Sequence, residues 1–436
     1  MGCLRTFVLL ASCGLALTPA WAEDLASALQ ALPQQHPAWQ SLQAEVTRAE
    51  AAVRQARGEL LPTLTGQAGF SWQNQDGERT QPLNYGLTLD QPLYQGGALR
   101  ANLARAEAEA QATLAQQRQQ QQDLLQQAIQ AYLEVLTAAS VAEAATQQVT
   151  ALTQHARQTR LRFELGDVTI TDVQQAEARL AAAQAQAAAA SSRQAAATAS
   201  YQEQFNQTPG ALQWPALDLV LPATPPSAAT LTAHPAWQAA QARLNSAQQQ
   251  VRQARAGHLP TLQGQASVQQ YTDSQRGPGQ APDYDESRLG LQLRVPLYNG
   301  GQVRAQVQQA VASQTIAQLG VETISRQLLA QASTRYHQLQ AAQVQYEARQ
   351  TQVAAAERSL QGVTEENKSG NRTVLDVLDA EQELLDAQMA LFEARQAWLN
   401  AQIAWQAAQG TLTLEALLAL LNTPPAKPAV SPETDA

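Results

Sequence analysis

Apolar positions change their spacing along this chain, and each change marks the border of a predicted element. Residues 98–165 keep heptad-like apolar spacing with no proline or glycine among them. This pattern predicts one helix roughly 100 Å long at 1.5 Å per residue. After Pro62 the apolar spacing becomes two, which is typical of a strand with one apolar and one polar face. The chain therefore combines very long helices with short amphipathic strands.

The strongest strand signal lies just before Pro296. Leucines and a valine at 289, 291, 293 and 295 alternate there with Arg288, Gln292 and Arg294. An aliphatic face opposite arginines suits a wall between water and lipid. A hairpin packed on a soluble core explains one such hairpin equally well. Four strands cannot close a barrel and lipid does not tolerate open strand edges, so a membrane wall requires several chains.

An internal duplication organises the whole chain. The stretch Gly370–Leu384 matches Gly166–Leu180 at an offset of 204, while a His-Pro-Ala-Trp motif recurs at His36 and His234, at an offset of 198. The six additional residues are assigned to the second hairpin, around Gly277-Pro278-Gly279. Two copies of one unit, a long helical hairpin carrying a β-hairpin at its far end, are therefore predicted.

The predicted boundaries follow from this duplication. Copy 1 spans 23–225 and copy 2 spans 226–422, between a signal peptide at 1–22 and a disordered proline-rich tail at 423–436. The predicted strands are about 63–75, 83–92, 261–272 and 286–296, and the predicted long helices are 98–165, 170–205, 302–369 and 374–408. Pro62, Pro92, Pro260 and Pro296 are expected at the four helix–strand junctions, because proline stops both kinds of backbone hydrogen bonding.

The first 22 residues have the features of an export signal. An arginine precedes a largely apolar run, and Ala20-Trp21-Ala22 offers a cleavage site. Both cysteines, Cys3 and Cys13, fall inside this segment, so the mature chain is expected to contain none. The residues before Cys13 also resemble a lipoprotein box, so lipidation stays an alternative. No later run reaches the roughly 18 apolar residues of a spanning helix, so strands are expected to make any membrane crossing.

Composition excludes several classes of function. A net charge of −9 without a basic, aromatic-rich patch disfavours nucleic-acid binding. No phosphate-binding loop, nucleophile with a base, or metal cluster is recognisable, so no enzyme activity, metal or cofactor is expected. His36 and His234 lack a second ligand at helical spacing, which favours capping or packing over metal binding.

With the duplication and the proline junctions established, the chain resembles the TolC family of outer-membrane efflux and type I secretion ducts. The resemblance covers residues 23–421 and is most specific over 370–380 and at the two Pro-Leu-Tyr-x-Gly-Gly junctions. It implies a homotrimer, with a 12-stranded transmembrane β-barrel in the outer membrane of a Gram-negative bacterium and a helical periplasmic tunnel. It also implies an inner-membrane pump and a periplasmic adaptor, the membrane fusion protein, as partners.

The resemblance further implies roles at the tunnel mouth. Asp376 and Asp379 correspond to a pore selectivity ring of six carboxylates, which physically suits attraction of cations. Asp172 and Arg372, with Thr171, correspond to a latch between neighbouring tips, and Asn367 stands where well-known members carry the latch tyrosine. Thr169-x-x-Asp172 and Thr373-x-x-Asp376 also match capping boxes, which gives Asp376 a second possible role.

Two functions from different classes explain these features. A pump-gated exit duct accounts for the helices, strands and prolines together. A periplasmic coiled-coil adaptor or structural protein accounts for the helices but leaves the amphipathic strands unexplained.

Overall fold

A computed structural model describes residues 24–75, 78–216, 228–273 and 283–421. The predicted signal peptide with Cys3 and Cys13, the tail 423–436, the turn at 277–279 and residues 217–227 of the linker between the copies lie outside the described residues. Most of the described chain is helical, with a small antiparallel sheet, and it contains two tandem copies of one unit. The predicted fold class is thereby confirmed.

The helices are numbered in chain order. They are α1 Leu25–Gln35, α2 Pro37–Gly58, α3 Ala98–Glu164, α4 Ile170–Phe205, α5 Pro235–Ala256, α6 Gln302–Lys368, α7 Val374–Gln409 and α8 Leu414–Leu421. The two long ones, α3 and α6, have 67 residues each. A helix of that length is about 100 Å long.

The two copies pair their helices in the same way. In copy 1, α3 packs along α4, and in copy 2, α6 packs along α7. We call α3–α4 the first coil and α6–α7 the second coil. Helix α5 packs against both α3 and α6, and α7 also touches α3. The two coils of one chain therefore lie side by side, because α3 of the first coil also contacts α7 of the second.

Small residues let the helices approach closely. On α4 the buried positions facing α3 include alanines spaced seven residues apart: Ala176, Ala183, Ala190 and Ala197. A seven-residue repeat keeps one face of a helix on its partner, and alanine there permits a short interaxial distance. Across the described residues, no helix is both long enough and apolar enough to cross a membrane.

The largest apolar core lies midway along the helices. Tyr132, Tyr201 and Leu399 are fully buried there, against α1 and the short helix α8. Tyr132 also fixes the linker between the copies, because its hydroxyl donates to the Gln213 carbonyl oxygen at 2.8 Å. Burial of large side chains is the main favourable term in folding, so this region anchors both coils.

We call the turns between α3 and α4 and between α6 and α7 the helix tips. The sheet lies at the opposite end of the helices. Its strands are β1 Thr63–Phe70, β2 Gln73–Gln75, β3 Glu78–Thr80, β4 Pro82–Gln95, β5 Thr261–Asp273 and β6 Tyr284–Arg294. A four-stranded sheet has the order β1-β4-β5-β6, all antiparallel, while β2 and β3 form a separate hairpin. Within the described chain, β1 and β6 are the two edges of the four-stranded sheet.

Pro92 is not at the end of its strand, which corrects one junction prediction. Strand β4 continues to Gln95, because β5 pairs with it as far as Thr261, with a bulge between Pro92 and Tyr94. Strand β1 pairs with β4 only as far as Asp90. The N–H that Pro92 lacks is therefore not needed for the hydrogen bonds between β1 and β4. The other three prolines lie in the short connections next to strands, as predicted: Pro62, Pro260 and Pro296.

Candidate functional site: the helix tips and the sheet surface

The two turns at the helix tips have the same backbone geometry. Gly166 and Gly370 have φ of 83° and 77°, a left-handed conformation that favours glycine. The next N–H bonds back to a carbonyl of the last helical turn, from Asp167 to Arg162 and from Asn371 to Glu366, at 2.9 Å each. This is the usual glycine C-cap of a helix, and it reverses the chain within a few residues.

Each tip then starts its second helix with a complete capping box. Asp172 accepts the Thr169 N–H at 2.7 Å, and Asp376 accepts the Thr373 N–H at 2.8 Å. Both threonine hydroxyls accept the aspartate N–H in return. These bonds satisfy N–H groups that a helix start otherwise leaves unpaired. The capping interpretation of both aspartates is confirmed.

Capping stabilises the charged form of both carboxylates. The Thr169 backbone N–H, followed by its hydroxyl, lowers the pKa of Asp172 below the ordinary aspartate value. The pKa of Asp376 is lowered as well, first by the Thr373 hydroxyl and then by the Thr373 N–H. Both carboxylates are therefore anionic at neutral pH.

Arg372 contacts its own tip within this chain. Its guanidinium lies 2.9 Å from Glu366 and 3.9 Å from Asp376, and its carbonyl oxygen accepts the Asn367 amide at 2.9 Å. Among the described residues, no ion pair joins Arg372 to Asp172. Both line one cleft of about 480 Å³ between the two tips, and Thr171 is exposed beside it.

Asp379 has a partner on the other coil. The Arg179 guanidinium on α4 lies 2.8 Å from the Asp379 carboxylate on α7. Two further polar contacts join α3 to α7: Glu381 is 3.7 Å from His155, and Gln148 donates to Gln382 at 3.0 Å. One turn of α7, from Asp379 to Gln382, thus makes three polar contacts with the first coil.

A second group of polar contacts joins the coils nearer the middle. Arg193 on α4 lies between Glu134 at 2.9 Å and Glu393 at 3.0 Å, and Gln396 donates to Glu134 at 2.6 Å. Burial opposes ionisation of Glu134, but the hydrogen bonds from Gln396 and Arg193 lower its pKa overall. This group keeps α3, α4 and α7 in fixed register.

Sequence reasoning did not find these cross-coil contacts. The duplication gave no sufficient signal, because copy 1 has Gln175 and Arg179 where copy 2 has Asp379 and Glu383, and the observed contact joins Arg179 and Asp379, which are not equivalent positions. The glutamate partner of Arg372 lies six residues before it and had no signal either.

The sheet has one continuous apolar face, as the alternation predicted. Register places Leu64, Leu89, Ala266 and Leu289 in one row across the four strands. These side chains are largely uncovered, with Leu289 88% exposed. The opposite face is polar, and Asp90 accepts the amides of two β5 glutamines, Gln263 and Gln265, there. A sheet with an uncovered apolar face requires an apolar environment.

The repeated histidines act as helix caps. The Nδ1 atoms of His36 and His234 accept the N–H groups of Ala38 and Ala236 at 3.2 and 3.1 Å. Burial lowers the pKa of His234, which keeps its ring neutral. The capping role preferred from the sequence is confirmed for both.

Comparison with known proteins relates this geometry to characterised ones. The profile of the outer membrane efflux protein family matches residues 28–202 and 228–411. The outer membrane efflux protein BepC of Brucella suis is 30% identical over 86% of this chain and 83% of its own length. The outer membrane protein TolC of Escherichia coli is 30% identical over 94% of this chain and 87% of its own. The crystal structure of the outer membrane protein VceC from Vibrio cholerae has a TM-score of 0.75 at 21% identity, over 88% of this chain and 95% of that one.

Proposed function

The chain belongs to the outer membrane efflux protein family, and on that premise we propose that it forms an exit duct through the outer membrane. The duct carries cargo from the periplasm to the outside of a Gram-negative cell. Its sheet forms the wall in the membrane, and its helices form a tunnel that closes at the tips.

The observation that carries the proposal is the uncovered apolar face of the sheet. Its rows of leucine, alanine and valine run across four strands with a polar face behind them. Strands of about ten residues with this alternation match the thickness of a bilayer core. Water on one side and hydrocarbon on the other satisfy both faces at once.

The two open strand edges require further copies of the chain. An unpaired edge in lipid leaves N–H and C=O groups without partners, which is costly. The two edge strands come from different copies of the duplicated unit: β6 of copy 2 corresponds to β4 of copy 1, and β1 of copy 1 corresponds to β5 of copy 2. We propose that β6 pairs with β1 of the next chain as β4 pairs with β5.

The duplication fixes the register of that pairing. Asp90 pairs with Gln265 and Leu87 pairs with Val268 within the chain. Applying the offsets of 204 and 198, Arg294 pairs with Gln67 of the next copy, and Leu291 pairs with Phe70. The apolar face then continues without interruption into the next copy.

Three copies give a closed barrel of 12 strands, the number that the family resemblance implies. Threefold symmetry gathers the tips around one axis and brings Asp376 and Asp379 of each copy to the mouth. Their side chains are 37% and 61% exposed. Six carboxylates at a constriction attract cations and bind multivalent ones, which is a selectivity ring.

The latch residues are proposed to act between neighbouring copies. Asp172 and Thr171 lie on the exposed first turn of α4, and Arg372 is half-exposed. In this latch, Arg372 of one copy leaves its own Glu366 and binds Asp172 of the neighbouring copy. Such an exposed ion pair is weak, typically about 0–1 kcal/mol. Asn367 holds the Arg372 carbonyl and not a neighbouring side chain.

The partners follow from the same family. We propose a periplasmic adaptor and an inner-membrane pump that open the tips, in an efflux pump or a type I secretion system. BepC is named for efflux, and we propose no catalytic reaction for this chain.

Conductance in a planar lipid bilayer tests the proposal. The purified chain is expected to give small cation-selective currents that a trivalent cation applied to the tip side blocks. Asp376→Ala/Asp379→Ala removes the block. Asp172→Ala is the matched control for the block: it removes the equivalent capping carboxylate and a proposed latch contact from the first tip, so resting conductance is expected to rise, but the ring and its block by a trivalent cation stay intact.

Other outcomes separate the alternatives. Channels whose block survives the double substitution keep the duct and leave the two aspartates as helix caps or bridges. A folded protein that never inserts into bilayers contradicts the duct and favours the periplasmic adaptor.

A further inference from the structure

The Arg179–Asp379 contact joins the third turn of α4 to the second turn of α7. Arg179 is on the first coil and Asp379 on the second, with 2.8 Å between guanidinium and carboxylate. The Asp379 side chain is 61% exposed and that of Arg179 is 34% exposed. This short, charge-assisted hydrogen bond joins two elements that must separate if the tips open.

The two copies use their acidic residues differently at this level. In copy 1, Glu177 pairs with Arg160 of its own coil at 3.4 Å. The copy-2 equivalent of Arg160 is Thr364, whose hydroxyl donates to the Leu360 carbonyl oxygen. Glu381, the equivalent of Glu177, lies instead beside His155 of the first coil.

At this level the acidic residue of the first coil, Glu177, therefore pairs within its own coil. The acidic residues of the second coil, Asp379 and Glu381, lie instead beside residues of the first coil. Movement of α7 away from α4 breaks the Arg179–Asp379 pair and leaves Arg160–Glu177 intact. Such movement also leaves Asp379 without its counter-charge. Opening of the tip and exposure of negative charge are coupled through one arginine.

Resting on the proposed function, we propose that Arg179 is a gate residue that holds the second coil against the first and masks the charge of Asp379. At rest, three arginines offset three of the six mouth carboxylates in a trimer. When the coils part, the mouth both widens and becomes more negative. Cation selectivity is then higher in the open duct than in the closed one.

Single-channel recording of four variants tests this inference. Arg179→Gln is expected to raise resting conductance or open probability by about tenfold, since three symmetric weak pairs are lost together. It is also expected to strengthen block by a trivalent cation. Asp379→Asn raises conductance in the same way but weakens the block, because it removes the carboxylate itself.

The charge swap Arg179→Asp/Asp379→Arg separates the bond from the charge. It restores the pair with reversed polarity, so the resting open probability is expected to return to that of the wild type, while block by a trivalent cation stays weakened. Arg160→Gln is the matched control, because it removes the same charge from the same tip without touching the cross-coil contact, and it should leave resting conductance unchanged.

Failure of the inference is distinguishable from failure of the duct. If the wild type forms channels and Arg179→Gln behaves like Arg160→Gln, the gate role of Arg179 is overturned. A swap that conducts like the single variants would overturn it too. Absence of wild-type channels contradicts the duct itself, before any variant is compared.

Discussion

The same junction sequence has two different surroundings in the two copies. In copy 1, Pro-Leu-Tyr-Gln-Gly-Gly is paired with β5, where Tyr94 faces Leu262 and Gln95 faces Thr261. In copy 2, Pro-Leu-Tyr-Asn-Gly-Gly follows the edge strand β6, and Tyr298 is 90% exposed. A junction that is strand-paired in one copy and unpaired in the other is what the proposed pairing of β6 with β1 of a second chain accounts for.

The helix tips show the opposite relation between copies. Both tips keep the same glycine turn and the same capping box, because these depend on residues within a few positions. Their surfaces differ in degree: the first tip exposes four large apolar side chains, Leu161, Phe163, Leu165 and Ile170, whereas the second exposes only Val374 and Leu375 beside its glutamates, a lysine and Arg372. The turn geometry is therefore the same in both tips, although the exposed side chains around it differ.

The largest expected effect comes from a charge on the apolar face. Leu87 and Leu291 are equivalent positions on a central strand and an edge strand. Arginine at either is expected to cost about 2–4 kcal/mol, because both face hydrocarbon in the proposed assembly. Unfolding in lipid vesicles by denaturant measures this cost.

Arginine on the opposite face supplies the control for that pair. Thr88→Arg and Gln292→Arg are expected to have little effect, because those positions face water. If Leu291→Arg is tolerated while Leu87→Arg is not, the edge strand does not lie in the membrane and the copies differ more than proposed.

A pair of equivalent glycines gives a smaller and sharper effect. A Cβ at Gly86 lies 2.5 Å from the Val268 carbonyl oxygen, whereas a Cβ at Gly290 meets nothing within 4 Å in the single chain. Gly86→Ala is therefore expected to destabilise the sheet by about 1–3 kcal/mol, as overpacking does. Gly290→Ala is expected to destabilise the assembled protein by the same amount, because β1 of the next copy then lies beside it. In the single chain the same substitution is expected to have no effect.

The measurement for the glycine pair is unfolding of assembled and dissociated protein side by side. Equal losses in the assembled form support the proposed pairing. A neutral Gly290→Ala in the assembled form would show that the neighbouring backbone does not approach β6 as β5 approaches β4.

The sequence predicted the parts of the molecule that depend on neighbouring residues. Long runs without proline predicted α3 and α6, alternation predicted the apolar face, and Thr-x-x-Asp predicted both capping boxes. Contacts between distant elements were not predictable. Arg179 and Asp379 meet because two coils pack side by side, and β4 continues past Pro92 because β5 supplies a partner.

Removal of the caps tests the equivalence of the tips. Thr169→Ala and Thr373→Ala each remove the hydroxyl that accepts the aspartate N–H and leave the backbone N–H bond to the carboxylate in place; the loss is expected to be about 1 kcal/mol in either tip. Hydrogen exchange of the first turns of α4 and α7 measures it. Unequal losses would mean that one tip is held by contacts other than its cap.

Acid is expected to loosen both tips together, with the smallest effect of the series. Because the folded pKa values of Asp172 and Asp376 are depressed, their stabilisation is present above the ordinary aspartate value of about 3.9. It is lost as pH falls through the lower folded values. Protease cleavage at the tips followed against pH checks this, and tips that become more resistant as pH falls below the ordinary aspartate range would contradict the sign.

Disulfide cross-linking between copies tests the central claim most directly. Gln67→Cys and Arg294→Cys in one chain are expected to link each copy to the next on oxidation and to give a covalent ladder that ends at three chains. The same Gln67→Cys with Arg288→Cys is the off-register control, about 20 Å away at 3.3 Å per residue. A ladder no stronger than the control, or one that extends beyond three chains, would contradict a closed barrel shared by three copies.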